Sequence, residues 1–357
     1  MKIGILGLPL VGKTTFFNLL TEMNAETRNF MGGDKKLNLG VARVPDKRIN
    51  ELSSIFTPEK TTYATIEFAD LPGLSTDQSN KERNSLLTNL KYMDALVQVV
   101  RVFDNPDVPL GGDKLDPMSE IEKVKFELIF SDLFIIEQKL SRVEKGQKSD
   151  PHEVALLKKC QSFLEEGQSI RELNLSEDDL KKLRGYSFLT EKPLIIVLNL
   201  SEEQFESGEY EGREDLLDFL EDEKIPYLEV CAALEMEINE LESEEKEVFM
   251  EELGIKDTGI ARLARTVYKH LNLISFFTVG TDEVRAWTIK SGMTVKEAGR
   301  VIHSDIARGF IKADVIGYEK FIELGSLKSA KETGTLRMEG KDYLVKDGDI
   351  ISFRFNV

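Results

Sequence analysis

The sequence predicts an α/β fold: a mostly parallel sheet covered by helices, interrupted by an inserted helical hairpin and followed by a small β/α module. Three observations predict it. A glycine-rich loop stands between an apolar strand and an amphipathic helix near the N-terminus. Near-continuous apolar strands recur along the chain, as in parallel sheets buried on both faces. A helical stripe, a turn cluster and a second stripe break that series in the middle. The 357 residues leave room for two or three domains.

The first element is "KIGILG", a buried strand, and "KTTFFNLLTE" after it reads as a helix. Between them "GLPLVGKTT" fits G-x-x-x-x-G-K-[ST] through Gly7, Gly12, Lys13 and Thr14. Backbone N–H groups and a helix N-terminus cradle phosphate oxygens, and the glycines permit close backbone approach. Lys13 would neutralise β- and γ-phosphates, and Thr14 would ligate Mg²⁺ through its hydroxyl. The competing reading, a chance strand-turn-helix, has no reason to carry the lysine.

The next strand, "TTYATIEFAD", ends in Asp70 and continues "LPGL". Asp-x-x-Gly alone is a common turn. Downstream of such a loop it puts a carboxylate near Mg²⁺ and Gly73 near the γ-phosphate. "DALVQVV", "PLIIVLN" and "IPYLEVCAA" supply further strands whose C-terminal ends should open on one crevice.

The insertion begins at Ser119, with apolar residues Ile121, Val124, Leu128, Ile135, Ile136, Leu140 and Val143 at helical spacing. Ser119 and Glu122 fit a capping box. "GQKSDP" is a turn cluster, and Val154, Leu157, Cys160 and Leu164 return on one face. An antiparallel hairpin follows, in which Cys160 is read as packing rather than as a reactive thiol.

Near residue 277 the pattern changes. "EVRAWTI" is a strand and "TVKEAGRVIHSDIARGF" a helix, with Thr294 and Glu297 at capping-box spacing. "KDYLVKDGDIISFRF" gives two strands around an Asp347-Gly348 turn. Arg308, Lys312, Lys328, Lys331, Arg337 and Lys341 could meet RNA phosphates; ordinary surface cations are the equal alternative.

The net charge of −17 excludes a generic nucleic-acid coat protein. The acid is uneven: residues 201–252 hold 21 Asp/Glu against 3 Lys/Arg, whereas residues 278–357 carry +1. An anionic partner would therefore meet the C-terminal part. No apolar run approaches the ~18–20 residues of a membrane span. A leader reading of "MKIGILGLPLVG" fails, because Lys13 follows at once and no small-residue cleavage site appears. Two cysteines fit a reducing, cytoplasmic setting, and three histidines without metal spacing argue against zinc.

The order of motifs resembles a translational-type GTPase domain. More closely, the chain is similar to the YchF family, the Obg-like ATPases, through "GILGLPLVGKTTFFNLLT", "SFLTEKPLIIVLNLSEE", "EVCAALEMEI", "YKHLNLISFFTVGTDEVRAWTI" and "EGKDYLVKDGDIISFRFNV". That resemblance runs nearly end to end. It implies a P-loop NTPase (G) domain over 1–118 and 190–277, a coiled-coil hairpin over 119–189, and a TGS domain of β-grasp fold over 278–357. It also implies association with ribosomes; RNA contact and no membrane are expected from the charge and hydropathy above, and the expected state is a monomer. The implied nucleotide-binding set is Gly7, Leu10, Val11, Gly12, Lys13, Thr14 and Thr15, then Asn199, Leu200 and Glu202, then Ala232, Ala233 and Leu234. Lys13, Thr14 and Gly73 are the expected catalytic residues, and Thr14, Asp70 and Asp34 the Mg²⁺ ligands.

Three stretches depart from the family pattern. Leu10 stands where members generally carry Asn, but cradling belongs to backbone. In "NFMGGDKKLNLG" the usual switch Thr aligns with Asp34, a hard oxygen ligand that suits Mg²⁺; a loop that does not close is the alternative. "LPGLSTDQSNKERNSL" is polar and charged where members are glycine-rich. Leu74 occupies the place of the water-orienting Gln in Ras-like enzymes, and Pro109 and Leu110 offer no proton chemistry. No general base is assigned. Hydrolysis would rest on Lys13, Mg²⁺ and backbone donors, and would be slow.

Asn199-Leu-Ser-Glu202 replaces the guanine reader Asn-Lys-x-Asp, whose Asp accepts from two guanine donors. Glu202 is one methylene longer, while a backbone N–H near Leu200 could serve adenine N1 and Asn199 the N7/N6 edge. ATP is therefore expected to bind at least as well as GTP. The favoured function is a ribosome-associated, slowly hydrolysing nucleotide switch. The alternatives are a ribosome- or RNA-binding protein with little hydrolysis, a GTP-preferring relative and, more remotely, a small-molecule phosphotransferase.

Overall fold

The computed structural model describes residues 1–21, 28–30, 37–74, 79–105, 115–253, 255 and 257–356. They divide into two compact units: residues 1–42 with 67–260, and residues 43–66 with 261–357.

The first unit is built on a seven-stranded sheet. Its strands are β1 (Lys2–Leu6), β2 (Arg28–Phe30), β3 (Leu37–Arg43), β5 (Thr65–Asp70), β6 (Ala95–Arg101), β7 (Leu194–Asn199) and β8 (Tyr227–Val230), in the order β2-β3-β5-β1-β6-β7-β8; β4 (Lys60–Thr62) lies in the other sheet. Pairings of β1 with β5 and β6, β6 with β7, and β7 with β8 are all parallel, while β2 runs antiparallel to β3. Every residue of β6 and β7 is buried, which is why these strands read as unbroken apolar runs. The register places Ile5 beside Asp70 and Val97, and Asn199 beside Arg101 and Val230. The C-terminal ends of five strands therefore share one edge, and the loops leaving them meet there.

Helix α1 (Lys13–Thr21) follows the first loop, α2 (Lys47–Phe56) belongs to the second unit, and α3 (Asn80–Lys91) precedes β6. The inserted hairpin is α4 (Pro117–Glu144) and α5 (Pro151–Glu165). Its N-terminal cap is not Ser119. Asp116 accepts from the Ser119 N–H at 3.0 Å and Pro117 fills the first turn, where a missing N–H costs nothing. The apolar stripe of α4 divides. Ile121, Val124 and Leu128 pack into the core of the sheet, whereas Ile136 and Leu140 pack on Leu157, Cys160 and Leu164 of α5. Burial pushes the Cys160 thiol up to about 11, consistent with a packing role. Buried Asp132 accepts from the N–H groups of Leu189 and Thr190 and from the Thr190 hydroxyl, tying the returning chain to α4.

The second unit holds a six-stranded mixed sheet in the order β12-β11-β13-β9-β10-β4. It adds β9 (Leu273–Thr278), β10 (Glu283–Lys290), β11 (Phe310–Gly317), β12 (Arg337–Glu339) and β13 (Asp349–Phe355). Three readings of the sequence are corrected here. "TTYATIEFAD" is not one strand: β4 pairs in parallel with β10, while β5 joins the first sheet. The unit's sheet also takes in β9, and the unit includes residues 43–66. "KDYLV" forms no strand, only a single bridge of Leu344 to Thr294. The predicted long helix breaks into Val295–Ile302 and Ser304–Arg308 at His303, whose extended backbone (φ −159°) cannot continue a helix. The Thr294/Glu297 capping box forms as expected, and Gly348 takes φ +84° in the predicted turn.

Candidate functional site

The glycine loop leaves β1 at Leu6 and enters α1 at Lys13. Gly7 has φ +146°, and a Cβ there would lie 2.4 Å from the Val99 carbonyl oxygen. Gly12 has φ +93°, and its Cβ would lie 2.4 Å from Asn199 Nδ2. Only glycine fits either position. Leu10 has φ +63°, a left-handed conformation that favours Gly or Asn, and its side chain is 56% exposed. Its substitution costs on the order of 1 kcal/mol in backbone strain and removes nothing from the loop's inner surface. Val11 is buried behind the loop, whereas Thr14 and Thr15 stand exposed in the first turn of α1.

Lys13 is only 8% exposed, and its ammonium donates to the Leu8 carbonyl at 2.5 Å. Burial lowers its pKa to about 8, against the attraction of Asp70 and Glu120, which hold the proton on. The Thr14 hydroxyl donates to Asp70 Oδ2 at 3.2 Å. Burial raises the Asp70 pKa, and Thr14, Lys13 and Asn38 oppose the shift. Gly73 lies over the loop: a Cβ there would meet Pro9 N at 2.9 Å and Lys13 Nζ at 3.0 Å. Lys13, Thr14, Asp70 and Gly73 thus converge. Leu74 turns away. It is buried in the sheet's core, and its N–H donates to the Gly7 carbonyl at 3.0 Å. Its side chain reaches no reacting group.

Asn199 ends β7 and is 5% exposed. Its Nδ2 donates to the Val11 carbonyl at 3.1 Å, and its Oδ1 accepts from the Ala232 N–H at 3.2 Å. One amide therefore fastens the phosphate loop to the small-residue loop. One N–H of Nδ2 remains for a ligand, since an amide nitrogen carries two. The Leu200 N–H donates to the Val230 carbonyl at 2.8 Å as part of the sheet, and its side chain is buried. Glu202 is exposed at the first residue of the helix Glu202–Ser207, whose cap is Ser201. Ala232 and Leu234 are buried and Ala233 exposed at the start of the helix Ala232–Glu240. That helix N-terminus faces the same edge of the sheet, so its dipole favours an anion or base acceptor.

Asp34, Pro109, Leu110 and part of both atypical loops lie outside the described residues. Glu120 was missed by sequence reasoning. Its carboxylate accepts from the Arg101 N–H at 3.4 Å and acts electrostatically on Lys13; burial raises its own pKa. Nothing in "SEIEK" signals this, because it depends on how α4 packs against β6. No group of three or more His, Cys, Asp or Glu side chains that could hold a metal occurs among the described residues. Mg²⁺ does not require one: it commonly takes one or two protein oxygens, completing its shell with phosphates and water. Thr14 Oγ1 and Asp70 Oδ2 are hard donors at the loop's mouth and fit that ion.

Residues 2–137 match the family model described as 50S ribosome-binding GTPase, and residues 273–356 match the YchF-GTPase_C model, described as a protein of unknown function. The ribosome-binding ATPase YchF of Haemophilus ducreyi is 42% identical over 362 residues, covering 100% of this chain and 99% of that protein. The protein of the same name from Bacillus subtilis is 38% identical over 363 residues, with 99% of each chain covered. Among solved structures, the YchF GTPase of Schizosaccharomyces pombe matches with a TM-score of 0.88 and 26% identity, over 99% of this chain and 97% of that one.

Proposed function

The chain belongs to the YchF family, and from that premise we propose that it is a ribosome-associated P-loop NTPase that binds ATP, and GTP with little discrimination, and hydrolyses it slowly. The observation that carries this reading is the bridge through Asn199. It joins the phosphate loop at Val11 to the small-residue loop at Ala232, so phosphate and base would be held by one rigid crevice.

Lys13 would exchange its contact with Leu8 for the β- and γ-phosphate oxygens. The loop amides between Gly7 and Lys13 and the N-terminus of α1 would cradle the remaining charge. Thr14 and Asp70 would hold Mg²⁺, which supplies charge neutralisation across the phosphates. Gly73, close to Lys13 Nζ, would offer its backbone where the γ-phosphate lies. Leu74 is packed into the core and orients no water, so turnover rests on positioning and electrostatics, and slow hydrolysis follows. Asn199 and Glu202 would meet the base.

The names of the relatives divide between ATPase and GTPase, and the base pocket here lacks the short Asp that selects guanine. Side-by-side calorimetric titration with ATP and GTP in Mg²⁺ should give affinities within about tenfold, equal to roughly 1.4 kcal/mol. A larger preference for GTP would overturn the base assignment. The second reading, a nucleotide-gated ribosome or RNA binder with little hydrolysis, is favoured by buried Leu74. Tight binding without turnover, even with added ribosomes, would select it. The ribosomal partner implies a cytoplasmic place of action. The second unit, with its near-neutral charge, is the region we assign to RNA contact and to a TGS-like role.

A further inference from the structure

The exposed face of α4 reads almost the same in both directions. At 100° per residue, Lys123, Phe126, Phe130, Phe134 and Glu137 lie within an arc of about 80°, with Ser119 and Ser141 continuing the same face beyond them. Phe126, Phe130 and Phe134 are 51%, 62% and 61% exposed, on the side of the helix opposite the residues that pack on the sheet and on α5. Three adjacent exposed phenylalanines are unusual on a soluble helix and mark a contact surface. Lys123 and Glu137 are exposed, and neither forms an ion pair with a described residue.

We propose that this face is a self-association surface, on which α4 of a second copy packs antiparallel about a twofold axis through Phe130. That register pairs Phe130 with its own copy, Phe126 with Phe134 of the second copy, and Lys123 with Glu137 of the second copy. Ser119 then stands opposite Ser141. The charge pairing selects this occupant: the cation and the anion lie equidistant from Phe130, seven residues on either side, so antiparallel packing brings opposite signs together twice. Parallel packing would instead set Lys123 against Lys123. An isologous patch of this kind is what a twofold dimer requires. The face is about 33 Å long and one helix wide, below the area of a permanent dimer, so the association is weak and concentration-dependent. It departs from the monomer expected from sequence, and it does not depend on the nucleotide reading.

Sedimentation velocity on the full chain, across a concentration series, tests it. The wild type should shift from monomer to dimer with a dissociation constant of about 10–100 µM. Lys123→Glu and Glu137→Lys should each weaken it about tenfold or more, because two attractive pairs become repulsive. The double variant should return to within about threefold of wild type, which a fold defect or an unrelated sticky surface would not produce. In a parallel experiment, Phe130→Cys should be joined to its own copy by a short bis-maleimide, while Lys158→Cys on α5 should not; Cys160 and Cys231 are buried and silent. A monomer at all concentrations up to about 0.5 mM, a double variant as weak as the singles, or equal crosslinking at both positions overturns the proposal. Monomeric behaviour would reassign the phenylalanines to a different protein partner.

Discussion

The two units use long-range contacts in opposite ways. In the first, the sheet is parallel, so every strand delivers its C-terminal loop to one edge, and residues as far apart as Val11, Asn199 and Ala232 meet there. The second unit has a mixed sheet with no such common edge, and its distant contacts serve to hold the fold. Arg48 on α2 donates to Asp347 Oδ2 at 2.7 Å and to Asp46 Oδ2 at 2.9 Å, and Asp347 also accepts from the Ser275 N–H. Burial disfavours the Arg48 charge, but the two carboxylates outweigh it and raise its pKa. Phe56 stacks on Phe321 at 5.4 Å, adding apolar contact to the same joint. Distant contacts gather chemistry in one unit and close the core in the other.

That contrast breaks first at Lys13. Lys13→Ala should lower kcat/KM for nucleotide hydrolysis by at least about 100-fold, roughly 3 kcal/mol. Phosphate release by stopped assay checks it, and full activity in the variant would remove the site assignment. Asn199→Ala should act on both structure and binding. It leaves the Val11 carbonyl and Ala232 N–H unpaired in a buried place, costing about 2–3 kcal/mol in urea unfolding and weakening nucleotide binding with it. Arg48→Ala should separate the units' roles: about 1–2 kcal/mol is lost from the second unit, because the guanidinium is partly exposed, while nucleotide affinity stays unchanged.

The smallest effect is a pH dependence. The free protein holds Lys13 near pKa 8, below its ordinary 10.5, because burial favours the neutral amine. A bound polyphosphate raises that pKa again, so binding takes up a proton above pH 8 and affinity falls as pH rises, by at most about tenfold per unit. Below pH 7 the lysine is charged in both states and affinity is flat. For stability the sign is reversed: the unfolded chain binds this proton more tightly, so the free protein gains stability from pH 8 toward 10.5. Titrations in buffers of different ionisation enthalpy at pH 8.5 measure the proton directly. No proton uptake would show that Lys13 does not contact the phosphates.

The sequence by itself determined whatever rests on neighbours along the chain. A strand, two glycines, a lysine and a helix start specify the phosphate loop, because its φ angles and free amides are local properties. The apolar runs of β6 and β7 announced a doubly covered sheet, and the Thr294/Glu297 spacing announced a helix cap. Tertiary structure decided the rest. Nothing near Lys60–Thr62 states that it pairs with a strand more than 200 residues away, because β-pairing is chosen by the partner available in space. Leu200 likewise loses its amide to Val230, Leu74 turns into the core, and Glu120 reaches the lysine only through the packing of α4. Motif spacing names the residues a site needs; which of their atoms remain free for a ligand is set by hydrogen bonds to segments the motif does not contain.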